Sequence, residues 1–118
     1  MIGTLSTVML VVSDMQRSVA FYRELLGIEV RFESPYWSKL DVGTVKLALH
    51  PEGDEVRVTP GWGCTIGFDV ADVVEVVERL RTAGTPVLTE PHTAQFGGQL
   101  AAIADPDGYP IQLHQPRS

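Results

Sequence analysis

At 118 residues, 44% hydrophobic and 20% charged, the chain has the composition of an ordinary globular protein, with apolar material for one modest core or two small ones. A net charge of −6 and a pI near 4.9 argue against nucleic acid as a partner, because phosphate binding draws on a basic surface. Cys64 is the single cysteine, which excludes an internal disulfide and a thiolate zinc site. No apolar run approaches transmembrane length, and Met1-Ile2-Gly3-Thr4 lacks the basic and apolar regions of a signal peptide. The expected setting is the cytoplasm, with no membrane partner.

Leu5 to Val12 is rich in β-branched and aliphatic residues and reads as a strand, with Val8, Leu10 and Val12 on one face and Thr7, Met9 and Val11 on the other. A helix follows, capped by Asp14, with Met15, Val19, Tyr22 and Leu26 on one stripe and Gly27 at its end. Three strand-like runs come next, Ile28 to Glu33, Tyr36 to Asp41 and Thr44 to His50. Residues 51–61, with Pro51, Gly53, Pro60 and Gly61 among the acids Glu52, Asp54 and Glu55, read as a linker with a solvated face. Cys64 to Val70 is then a strand. Asp72, with Glu75 three residues on, caps a helix whose apolar face is Val73, Val76, Val77 and Leu80, and Gly84 stops it. Pro86 to Thr89 is a short strand and Pro91 to Gly98 a loop. A hairpin closes the chain: Leu100 to Ala104, the turn Asp105-Pro106-Asp107-Gly108, and Tyr109 to Leu113.

The order strand–helix–strand–strand–strand thus occurs twice. Asp14 pairs with Asp72 and Gly27 with Gly84, and near the ends of the halves Asp41, Leu49 and His50 align with Asp105, Leu113 and His114. Each half is too small to bury both faces of its sheet alone. The expected fold is α+β: two tandem βαβββ modules with a cleft between curved mixed sheets and the helices outside. Module one spans about residues 1–50, the linker 51–61 and module two 62–118, together one domain.

Thr7 to Gly27, with Asp14, Ser18, Phe21-Tyr22 and Leu26-Gly27, resembles the opening of the vicinal oxygen chelate superfamily, which includes glyoxalase I, extradiol dioxygenases and bleomycin-resistance proteins. Asp105-Pro106-Asp107-Gly108 with Ile111 and Leu113 resembles its other hallmark. The resemblance implies a ligand cleft. In metal-dependent members it also implies a divalent ion held by His and Glu on the first and last strands of each module. The matching positions here are Thr7, Ala48, Thr65 and Gln112, none of them His, Asp or Glu. Hydroxyls, an amide and a methyl do not offset the dehydration of a divalent ion, so neither metal nor other cofactor is expected.

The remaining candidates divide between chemistry and plain structure. By alternation His50 shares a face with Ala48, and His114 with Gln112, as ligand contacts or as strand-end residues half in solvent. His92, beside Pro91, reads as a loop residue at the surface or rim. Tyr36, Trp37, Trp62 and Phe96 suit either stacking on a planar ligand or a core and subunit-interface role. Asp69 shares a face with Thr65 and Gly67. It is the candidate catalytic residue, as a general base, or else a partner for a cationic ligand.

These residues support a metal-independent small-molecule binding protein of the bleomycin-resistance type, taking a cationic or aromatic drug or metabolite. Its site would comprise Thr7, Met9, Trp37, Ala48, His50, Trp62, Thr65, Asp69, Gln112 and His114. The alternative is a superfamily enzyme (lyase, isomerase or dioxygenase) with a non-standard or absent metal site. The resemblance also implies a homodimer.

Overall fold

The computed structural model describes residues 2–95 and 97–117, so Phe96 lies outside the described residues. The chain divides into two compact units, Met1–Thr59 and Pro60–Ser118. The residues expected as a linker fall mostly in the first. There Glu52 N–H donates to the Val12 carbonyl (3.2 Å) and Val58 N–H to the Glu52 carboxylate (3.0 Å).

The first unit holds β1 (Thr7–Val12), α1 (Met15–Ala20), β2 (Glu29–Phe32), β3 (Ser38–Asp41) and β4 (Lys46–Pro51). Its sheet runs β1-β4-β3-β2, with β1 parallel to β4 and the other pairs antiparallel. Asp14 stands in extended conformation and its carboxylate accepts from Arg17 N–H at 3.0 Å, satisfying a first-turn donor. The single helix expected from the apolar stripe does not stay α-helical. Phe21–Leu25 widens into a π-helical stretch, with Leu26 N–H bonded to the Phe21 carbonyl at 3.2 Å. Phe21 and Tyr22 are both buried there, edge to face at 5.1 Å, while Met15 and Leu26 remain half-buried. Gly27, at φ +71°, turns the chain into β2. Val12, Val19, Tyr22, Leu40, Leu47 and Leu49 form the core of this unit.

The second unit repeats the plan with β5 (Ile66–Asp69), α2 (Val73–Thr82), β6 (Val87–Thr93), β7 (Gln99–Ala104) and β8 (Pro110–Gln115), in the order β5-β8-β7-β6. Asp72 caps α2 by accepting from Glu75 N–H at 3.1 Å, and Val73 N–H donates to the Gln115 side-chain oxygen at 2.9 Å, tying helix to strand. Val73, Val77 and Leu80 pack with Ile103, Ile111 and Leu113. In the β7–β8 turn the buried Asp105 carboxylate accepts from Asp107 N–H (3.0 Å) and Tyr109 N–H (2.9 Å). The expected α+β class with two βαβββ modules is therefore observed.

Two expectations need correction. The strand expected to end at Thr89 continues to Thr93 through Pro91, so His92 is a strand residue and not a loop residue. The reason is position: β6 is a sheet edge, broken by register shifts between Val87 and Thr89 and between Thr89 and His92, and proline is tolerated at edges and bulges. At the other end, the first strand begins at Thr7, leaving Leu5 exposed ahead of it.

Candidate functional site

In each unit one sheet face packs under its helix and the other carries the polar candidates. In the first unit, register places Ala48 between Met9 and Lys39, and Val11 beside His50. Met9 is 46% exposed and Thr7 is exposed, while Ala48 between the neighbouring strands has no exposed surface. His50 Nδ1 lies 2.7 Å from the Pro51 carbonyl, which only accepts, so Nδ1 carries a proton and donates it. The half-buried Trp37 meets this ring edge-on, with centroids 6.2 Å apart.

A hollow of about 270 Å³ in this unit is bordered by Arg31, Lys39, Asp41 and Lys46, none of them among the expected site residues. The Arg31 guanidinium hydrogen-bonds Asp41 at 2.7 and 3.1 Å. That contact holds the Asp41 carboxyl below the usual carboxylate range, helped by Gly43 N–H. Asp41 in turn raises Arg31.

The second unit gathers more of the expected residues. One row across its sheet reads His92, Leu100, His114, Asp69, and the next carries Ala102, Gln112 and Gly67. A cavity of about 740 Å³ borders Asp69, Gln112, His114, Leu100, Gln95 and Arg117. An adjoining hollow of about 180 Å³ shares Leu100 and Gln112 and adds Trp62, Thr89 and His92. The larger volume is that of a drug-sized site. Trp62 is 59% exposed at its edge, Thr65 is half-buried just before β5, and His114 Nδ1 stands 3.5 Å from the Asp69 carboxylate.

Gln112, His114 and Asp69 are thus brought together, with Trp62 at the neighbouring hollow. Thr7, Met9, Trp37 and His50 belong to the first unit and border none of these cavities. Arg117, Gln95 and Leu100 were not among the expected site residues: the first two lie in irregular chain with no periodic signal, and Leu100 read only as the start of a hairpin strand. As for the ion implied by the resemblance, Thr7 and Ala48 in one unit and Thr65 and Gln112 in the other offer no imidazole or carboxylate and do not fit it. Among the described residues no group of three or more His, Cys, Asp or Glu side chains is placed to hold a metal. Nor is any helix among them long and apolar enough to cross a membrane.

A tandem of βαβββ units with polar open faces defines a class of small two-module α+β proteins. The model of the Glyoxalase/Bleomycin resistance protein/Dioxygenase superfamily matches residues 4–113, and the chain belongs to that superfamily. It is similar to the lactoylglutathione lyase of Salmonella typhimurium, 32% identical over 89% of this chain and 87% of that one. Among solved structures it is similar to a glyoxalase-related enzyme from Fulvimarina pelagi (TM-score 0.82, 25% identity, covering 97% of this chain and 88% of the other). An antibiotic binding protein from a Streptomyces species shares the fold (TM-score 0.80, 24% identity, 98% of each chain).

Proposed function

We propose that this protein is a metal-independent small-molecule binding protein of the bleomycin-resistance type, a cytoplasmic homodimer that binds a cationic or aromatic drug or metabolite. The observation that carries the reading is the residue set Thr7, Ala48, Thr65 and Gln112, none of them His, Asp or Glu, at the positions that the resemblance matches to the ion's ligands. Such a set leaves a ligand to be held by shape, hydrogen bonds and charge. The cavity beside Gln112, His114 and Asp69 has the size for this, and the exposed Trp62 ring adds a stacking surface next to it. In the second unit Thr65 joins these four residues as a candidate ligand contact; in the first unit, taken by itself, the candidates are Thr7, Met9, Trp37, Ala48 and His50. Antibiotic resistance by sequestration follows as the physiological role, in line with the fold shared with an antibiotic binding protein.

One observation favours a second reading, a superfamily enzyme of the lyase type: the 32% identity to a lactoylglutathione lyase. Metal analysis after exhaustive dialysis, followed by calorimetric titration with zinc and nickel, separates the two. Absent or weak, non-stoichiometric binding supports the first reading. Tight binding of one ion per site supports the second.

A further inference from the structure

His114 has a geometry that ligand binding does not require. Its Nδ1 stands 3.5 Å from the Asp69 carboxylate, and in a neutral ring that donates to this carboxylate from Nδ1 the lone pair is on Nε2. Such contacts are commonly loose before substrate binds. The main chain at Gly98 passes close to Nε2. A Cβ built on Gly98 would stand 3.0 Å from His114 Nε2, and the residue holds φ +74° beside the Gln115 carbonyl, so no other residue fits there without strain. The ring is 39% exposed and borders the 740 Å³ cavity together with Gln112 and Arg117, both hydrogen-bond donors. A base beside a carboxylate, a partly exposed ring at a cavity wall and nearby donors for developing negative charge are the parts of a proton-transfer site.

We propose that Asp69 and His114 make the open face of the second unit a metal-free general-base site for planar carbon acids, molecules whose C–H is acidified by a conjugated electron-withdrawing group. His114 Nε2 takes the proton. The C–H electron pair passes into the conjugated group, where Gln112 or Arg117 meets the charge. Asp69 is the positioning residue.

Nitrobenzisoxazole is a direct probe of such a base and needs no metal or redox partner. Its ring C–H proton goes to the base, the electron pair forms the nitrile, the N–O bond breaks, and phenoxide leaves. Water then takes the proton from the imidazolium. In the presence of EDTA, the wild-type protein is expected to outpace free imidazole at equal concentration. His114→Gln should lose about 10²-fold. Asp69→Asn should lose about tenfold in kcat with KM unchanged, and Asp69→Glu should recover part of the loss. A wild-type rate no higher than that of imidazole, a rate abolished by EDTA, or an unchanged rate in a folded His114→Gln variant would overturn the proposal. Should His114→Gln fail to fold, the exposed Asp69 carries the test: equal kcat in Asp69→Asn and wild type would contradict the assignment.

Discussion

His50 and His114 occupy the same register position in the two sheets, and the β-strand neighbour of each differs: Val11 beside His50, Asp69 beside His114. One ring is fixed by the Pro51 carbonyl and leans on Trp37; the other faces a carboxylate in an open cavity. Both contacts put the neutral-ring proton on Nδ1. Long-range proton–nitrogen correlation spectra of the neutral rings are expected to show this tautomer for both. Asp69→Asn should redistribute the proton in His114 alone. A shift confined to His50, or none in either ring, would contradict the geometry.

The Asp105 turn anchors β8, the strand carrying Gln112 and His114. Its carboxylate is 3% exposed and accepts two backbone N–H bonds. Removing a buried charged acceptor leaves those donors unsatisfied, so Asp105→Ala should cost about 1.5–3 kcal/mol in urea unfolding.

Asp14 and Asp72 perform the same capping task at α1 and α2. Alanine at either is expected to cost about 0.5–2 kcal/mol and asparagine much less, because the amide oxygen also accepts. Equal losses for alanine and asparagine would mean that charge, not capping, is what matters.

Asp41 should leave a signature in acid. Its folded pKa is depressed, chiefly by the Arg31 hydrogen bond. The resulting stabilisation is present above the unfolded carboxylate value of about 3.9 and is lost as pH falls through the lower folded value. Wild type should therefore lose stability more steeply than Asp41→Asn over that acidic window, with the two running parallel near neutrality.

Sequence alone carried both helix caps, the glycine turns, the closing hairpin and the twofold plan, because caps and turns are local chemistry. It failed where position in the sheet decides. Pro91 reads as a breaker, yet in an edge strand the register shift between Thr89 and His92 accommodates it and the strand goes on, which hid the alignment of His92 with Leu100 and His114. The π-helical stretch at Phe21–Leu25 leaves no pattern that distinguishes it from α-helix. For the site, alternation correctly set Gln112, His114 and Asp69 on one face. Ala48 obeys the same alternation; that it has no exposed surface is set by what surrounds it, which alternation does not give.

The most direct measurement follows the fluorescence of Trp62 and Trp37 in EDTA-treated protein titrated with metal-free bleomycin and a panel of planar aromatic metabolites. Trp62→Phe and Gln112→Ala serve as site controls. A saturable change with at least one compound, without any divalent ion and weakened in both variants, is the expected result. No saturable change with any compound until zinc or nickel is restored would contradict a metal-independent binding protein.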